Sequence, residues 1–117
     1  MAWDLDDDRP IYAQLVDIIQ MQIVSGSYPP GAKLPTVREL AAMAAVNPNT
    51  MQKAFSELER SGLIITQRTN GRNVTEDTEL IHAIRQRLAK EYTNEFFENM
   101  QNLGFSKQEA IELLGQS

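Results

Sequence analysis

The sequence predicts a mainly α-helical fold with one small β-hairpin: an N-terminal winged helix-turn-helix followed by a C-terminal helical region. Two short helical patterns lie on either side of a tight break at Ala45-Val46. An Asn70-Gly71 pair between strand-like runs predicts a hairpin directly after them. Apolar residues then recur every three or four positions over residues 81–103, which is the spacing of a long amphipathic helix.

Composition excludes several classes of protein. The 117 residues suffice for one domain with a small core, and no apolar run is long enough for a transmembrane helix. The absence of cysteine excludes disulfides and thiolate metal sites and fits a reducing cytoplasm. A lone histidine, His82, cannot build a triad or a His-rich metal site, and no P-loop or Gly-x-Ser-x-Gly motif is present. We therefore expect no enzyme activity, metal or cofactor.

The charge is divided unevenly along the chain. The net charge is −5, yet residues 33–75 carry six cations and three acids. Residues 1–32 and 76–117 are both acidic. Local potential governs phosphate binding, so residues 33–75 are the candidate nucleic-acid contact. The acidic start, residues 1–9, lacks the apolar stretch of a secretory signal. We expect it to be flexible and solvated.

The first helix is predicted over residues 10–25, with Pro10 in its first turn and Gly26 as its stop. Residues 27–35 are then predicted to form a turn, because Pro29, Pro30 and Gly31 cannot continue a helix.

Capping signals bound the next two helices. Thr36 and Glu39 form a capping box for a helix over residues 37–44. Asn47 is the next N-cap, with Pro48 at the first helical position. This helix is predicted to end at about Ser61, before Gly62. Its apolar stripe comprises Met51, Ala54, Phe55 and Leu58, and its opposite side carries Asn49, Gln52, Lys53, Ser56 and Arg60.

Amide and basic side chains on that opposite side can read DNA base edges, because they match the donors and acceptors of adenine and guanine. The alternative is an ordinary solvated helix face. The hairpin that follows is predicted to pair residues 63–68 with 72–74 across Thr69-Asn70-Gly71, and it carries Arg68 and Arg72 near its tip.

The last segment is predicted to be a long helix from about Asp77 to Leu103, ended by Gly104, and a short helix capped by Ser106. The apolar stripe of the long helix either folds back on the first helix or pairs with a second copy of the chain. Its length exceeds what the small winged domain can cover, so we favour a dimer. The predicted interface residues are Ile81, Ile84, Leu88, Tyr92, Phe96, Met100 and Leu103.

Residues 10–74 contain four specific elements: P-I-Y at residues 10–12, G-x-K-L-P-T-x-R-E-L-A at 31–41, V-N-P-N-T at 46–50 and L-E-R-x-G-L-I at 58–64. With these elements the segment closely resembles the DNA-binding domain of the GntR family of bacterial transcription regulators. The short helical tail and V-N-P-N-T resemble the YtrA-like subfamily. That resemblance implies a small dimeric repressor, often of an ABC-transporter operon.

The resemblance also implies roles for matched positions. Arg38 would contact phosphate, the start of the second helix of the pair would enter the major groove, and the wing would enter the minor groove. Thr69 and Asn73 depart from the family's wing pattern, which has glycine and an aromatic residue there. The DNA-contacting residues expected are Lys33, Thr36, Arg38, Asn47, Pro48, Asn49, Thr50, Gln52, Lys53, Ser56, Arg68, Gly71 and Arg72.

The sequence thus predicts an acidic segment over residues 1–9, a winged helix-turn-helix over 10–75 and a helical dimerisation region over 76–117. The leading hypothesis is a dimeric repressor of a pseudo-palindromic, double-stranded DNA operator. The alternative is a winged-helix module that docks proteins and binds DNA weakly or not at all. The roughly 42 residues after the wing are too few for the large effector domain of longer relatives, and no small-molecule effector is identified.

Overall fold

A computed structural model describes residues 3–69 and 71–117 of the chain. In chain order the elements are α1 (Ile11–Val24), α2 (Val37–Ala44), α3 (Pro48–Ser61), β1 (Ile64–Gln67), β2 (Gly71–Val74), α4 (Thr78–Asn102) and α5 (Lys107–Gly115). The predicted fold class, mainly helical with one antiparallel hairpin, is confirmed. Contacts divide the chain into two compact units, residues 1–82 and 83–117.

Helix α1 begins one residue later than predicted. Pro10 is its N-cap, with an extended ψ of 135°, so it does not belong to the first turn. The fixed φ of proline still suits this position, and Ser25 caps the other end before Gly26. The face of α1 that packs in the core is fully buried and consists of Leu15, Ile19 and Ile23.

The described part of the acidic start is hydrogen-bonded to α1, and its expected flexibility stays a prediction. The side chain of Gln14 is buried and accepts from the Asp6 N–H at 2.7 Å. Its amide nitrogen donates to the Asp6 carbonyl at 2.8 Å and to the Arg9 carbonyl at 2.9 Å. A buried amide needs such partners, and the preceding backbone supplies them. The carboxylates of Asp6, Asp7 and Asp8 nevertheless remain exposed.

Helices α2 and α3 have the predicted bounds because their capping residues act as expected. The Thr36 hydroxyl accepts from the Glu39 N–H, and the Glu39 carboxylate accepts from the Thr36 N–H. Ala45 ends α2 in the left-handed conformation, with φ 58°. Both helices bury apolar faces that meet in one core with α1: Leu40, Ala41, Ala44, Met51, Ala54, Phe55 and Leu58.

The hairpin differs from the prediction in the extent of its strands, and the connection between them is shifted by one residue. Strand β1 spans Ile64–Gln67, and Gly71 is already paired with Gln67 in β2. The connection between the strands therefore comprises residues 68–70, one position before the predicted Thr69-Asn70-Gly71 turn. Asn70, the first residue of the predicted pair, lies outside the described residues. Gly71 has φ +71°, the left-handed conformation that glycine adopts at no steric cost.

Residues 31–34 pair with β2, although the sequence predicted only a turn there. The Gly31 N–H donates to the Val74 carbonyl at 3.0 Å, and the Val74 N–H donates to the Ala32 carbonyl at 2.9 Å. The Leu34 N–H donates to the Arg72 carbonyl at 2.9 Å. The segment that leads into α2 therefore lies along the wing as a third, short extended piece.

In the unit of residues 83–117, α4 continues to Asn102 and Ser106 starts α5 with a second capping box. Ile84, Met100 and Ala110 are buried. The apolar side chains exposed in this unit lie mostly near and within α5: Tyr92, Leu103, Phe105, Ile111, Leu113 and Leu114.

Candidate nucleic-acid interface

The outward side of α3 is a polar, solvent-facing surface. Burial of the Met51, Ala54, Phe55 and Leu58 stripe fixes the helix rotation, so the opposite sector points into solvent. Every side chain predicted for that sector is exposed: Asn49, Gln52, Lys53, Ser56 and Arg60. The predicted sidedness of α3 is therefore present in the structure.

The start of α3 lies free of the core. Asn47 and Pro48 are exposed, and Thr50 is half-buried. The Asn47 side-chain oxygen accepts from the Asn49 N–H at 2.7 Å, so it satisfies one of the unpaired donors of the first turn. A helix N-terminus carries partial positive charge and favours a nearby phosphate.

Helix α2 starts with a similar polar end. The Thr36 N–H donates to the Glu39 carboxylate, which, with the Thr36 hydroxyl, lowers the pKa of Glu39. The Glu39 carboxylate therefore stays charged and hydrogen-bonded to Thr36. Arg38 in the first turn and Lys33 just before it are exposed. Both are available to solvent or to an anionic partner.

The wing holds its two arginines differently. Arg68 is exposed at the connection between the strands. The Arg72 side chain is only 26 % exposed and folds back onto α3. The sequence placed both near a tip, whereas the structure places the Arg72 guanidinium against α3.

Glu59 fastens both wing strands to α3. Its Oε1 accepts from Arg72 Nε at 3.2 Å, and its Oε2 accepts from the Thr66 hydroxyl at 2.6 Å. Arg72 Nη2 donates to Gln52 Oε1 at 3.3 Å. Glu59 was not among the residues predicted from the sequence to contact DNA. The sequence carried no signal for these bonds, because they depend on the register that pairs Thr66 with Arg72 and on the packing of the hairpin against α3.

Lys53 also has an intramolecular partner. Its Nζ lies 3.8 Å from the centre of the Tyr12 ring on α1. A cation over an aromatic face is attracted by the ring quadrupole. Lys53 thus keeps its charge at the surface while its side chain is directed toward one edge of α3.

The part of the chain that the structure describes holds no group of three His, Cys, Asp or Glu side chains suited to a metal ion. Among the same residues, no helix is both long and apolar enough to cross a bilayer.

The family model for bacterial regulatory proteins of the gntR family matches residues 11–74. The chain belongs to the GntR family. Over 104 residues it is 39 % identical to the HTH-type transcriptional regulator YhcF of Bacillus subtilis, covering 89 % of this chain and 86 % of YhcF. It is 44 % identical over 74 residues to the HTH-type transcriptional repressor YtrA of the same organism, covering 63 % of this chain and 57 % of YtrA.

Solved structures agree with this GntR assignment. A GntR family transcriptional regulator from Listeria monocytogenes has a TM-score of 0.89 at 41 % identity, covering 97 % of this chain and 99 % of the other. The DNA-binding domain of AraR, solved in complex with operator ORX1, has a TM-score of 0.56 at 30 % identity. That match covers 64 % of this chain and 92 % of the AraR domain. The chain is therefore a GntR transcription regulator with a winged helix-turn-helix DNA-binding domain.

Proposed function

We propose that this GntR protein is a dimeric repressor that binds a pseudo-palindromic operator, with an ABC-transporter operon as the first candidate target. It would act in the bacterial cytoplasm. The observation that carries the proposal is the bond from Arg72 on the wing to Gln52 on α3. It brings the wing beside an exposed helix face that carries base-reading groups.

The proposed contacts divide by groove. Residues of α3 and its cap would meet base edges and adjoining phosphates in the major groove, because amide and basic groups match those edges. The wing would approach the neighbouring minor groove. The α3 contacts are Asn47, Pro48, Asn49, Thr50, Gln52, Lys53 and Ser56. The wing contacts are Arg68, Gly71 and Arg72, and the phosphate contacts before and within α2 are Lys33, Thr36 and Arg38.

Residues 76–117 are proposed to form the dimerisation region. Within one chain Ile84 and Met100 are already buried, so they offer little area to a partner. Tyr92 is 54 % and Leu103 is 73 % exposed, while Ile81, Leu88 and Phe96 are half-buried. Exposed apolar groups gathered in so short a segment are typical of an interface. The exposed leucines and Ile111 of α5 extend the surface beyond the stripe predicted from sequence.

Two measurements on the full chain test the proposal. Selection of bound DNA from a random pool should enrich an inverted repeat whose half-sites are spaced by about one helical turn or a multiple of it. Sedimentation should give twice the mass of one chain, and Leu103→Asp should shift it toward the monomer. A single enriched half-site together with a monomeric mass would contradict the dimeric repressor.

The alternative is a winged-helix module that docks proteins. The ion pair of Arg72 with Glu59 favours it, because it neutralises one of the few cations of the wing. Such a module would show no DNA affinity that falls steeply with salt, whereas neutralising several phosphates produces a steep slope. Affinity for the selected DNA at increasing salt therefore separates the two functions.

A further inference from the structure

Glu59 is bonded to both strands of the wing. Thr66 and Arg72 lie directly opposite each other in the hairpin register, and their side chains reach the two oxygens of the same carboxylate. The Glu59 side chain is 32 % exposed and lies near the polar side of α3, because its partner Arg72 also bonds Gln52. A carboxylate in that region repels DNA phosphates.

Arg72 connects Glu59 to Gln52 by hydrogen bonds. Its guanidinium lies 5.2 Å from the centre of the Phe55 ring, its Nε is held by Glu59, and its Nη2 donates to Gln52 Oε1. A guanidinium is planar with its donors in a fixed fork. Fixing one edge at Glu59 and one face at Phe55 therefore directs the remaining donors toward Gln52.

The bond to Arg72 selects one of two orientations of the Gln52 amide. Because Arg72 can only donate, it holds the amide oxygen toward the wing. The amide nitrogen then lies toward Ser56, whose hydroxyl is 3.5 Å away. A flipped amide would exchange donor and acceptor at the surface, and the two arrangements match different base edges.

We propose that Glu59 is a positioning residue for base reading: it contacts no base, and through Arg72 it sets the orientation in which Gln52 meets DNA. The proposal rests on the proposed DNA-binding function. Glu59 then has two effects on DNA binding. Its negative charge weakens the attraction to DNA, and its hydrogen bonds increase the preference for one base.

The test compares Glu59→Ala with Glu57→Ala in the 117-residue chain. Both variants remove one negative charge from α3, but Glu57 pairs with Arg60 on the same helix, whereas Glu59 bonds Thr66 and Arg72 of the wing. Random-pool selection with Gln52→Ala first identifies the base pair that Gln52 reads. At that pair, Glu59→Ala should reduce the preference for the selected base roughly fivefold or more. Glu57→Ala should leave the preference unchanged, and both should bind non-selected DNA more tightly.

Arg72→Lys provides a second, independent variant. It keeps the positive charge but lacks the fork, so it should reduce the same preference as Glu59→Ala does, including if Glu59→Ala fails to fold by circular dichroism. Equal profiles for Glu59→Ala and Glu57→Ala, an unchanged profile for Arg72→Lys, or no base pair affected by Gln52→Ala would each overturn the proposal while leaving DNA binding intact. Wild-type protein that enriches no sequence would overturn the proposed function as well.

Discussion

The Nζ of Lys53 lies 3.8 Å from the centre of the Tyr12 ring. The contact joins the exposed side of α3 to the first turn of α1, across about forty residues of chain. Lys53 is exposed and Tyr12 is half-buried, so the charge remains hydrated on one side while the ring covers the other. One of the predicted base-reading groups is thus oriented by a residue outside the helix-turn-helix.

The Tyr12–Lys53 contact should be measurable as a coupling energy. In a double-mutant cycle of Tyr12→Leu and Lys53→Met, urea unfolding should give a coupling of about 0.5–1 kcal/mol, the range for exposed cation–π pairs. Tyr12→Phe keeps the ring and should retain the coupling. A cycle that is additive within error would show that the contact contributes nothing to folding.

Arg38→Ala should weaken binding to all DNA sequences rather than change the preferred one. The exposed guanidinium stands at the start of α2, beside its capping box. Loss of one phosphate contact should lower the slope of log affinity against log salt by about 1. Arg85→Ala removes the same charge from α4 and should leave the slope unchanged. Equal slopes for wild type and Arg38→Ala would assign Arg38 to the solvated surface.

Ala45→Gly should stabilise the protein. Ala45 has φ 58° between α2 and α3, a conformation that strains residues with a Cβ. Glycine removes this strain, and we expect a gain of about 0.5–1 kcal/mol in the free energy of unfolding. Ala42→Gly is the matched control, because the same change inside α2 should cost about 1 kcal/mol. A loss of stability in both variants would contradict the strain argument.

The stability of the protein should fall in acid as the glutamates of the two capping boxes become protonated. The Thr36 N–H and then the Thr36 hydroxyl lower the pKa of Glu39 below its usual 4.5, and Ser106 lowers the pKa of Glu109 in the same way. A lowered folded-state pKa stabilises the protein above the unfolded value, and this contribution is lost as pH falls through the folded value. Glu39→Gln should therefore show a smaller fall in Tm below about pH 4.5 than wild type. Thr36→Ser keeps both hydrogen-bonding groups and should match wild type.

Local signals predicted the first residues of α2 and α3 and the approximate positions of their ends. Thr36 with Glu39, and Asn47 with Pro48, bound their helices through contacts within four positions, so sequence alone contains them. The exposed sector of α3 followed in the same way from helical spacing. Interactions between distant residues were missed, because no spacing rule links Lys53 to Tyr12.

In the wing, too, the contacts between distant residues were not predicted from the sequence. Its strands were predicted from composition, but the pairing of residues 31–34 with β2 depends on the folded path of the chain. The fold of Arg72 onto Glu59 likewise requires α3 and the hairpin to be packed together. The roles of individual residues at the DNA stay predictions for the selection experiments.

The pairing of residues 31–34 with β2 has a consequence for hydrogen exchange. It closes a loop of chain that contains both α2 and α3, and the Leu34 and Val74 amides that close it belong to buried residues. These amides can exchange with solvent only when the loop opens, so their protection reports on the whole helix pair. We therefore expect the wing and the helices that it flanks to open together, with the Leu34 and Val74 amides exchanging at the same rate as the amides inside α3.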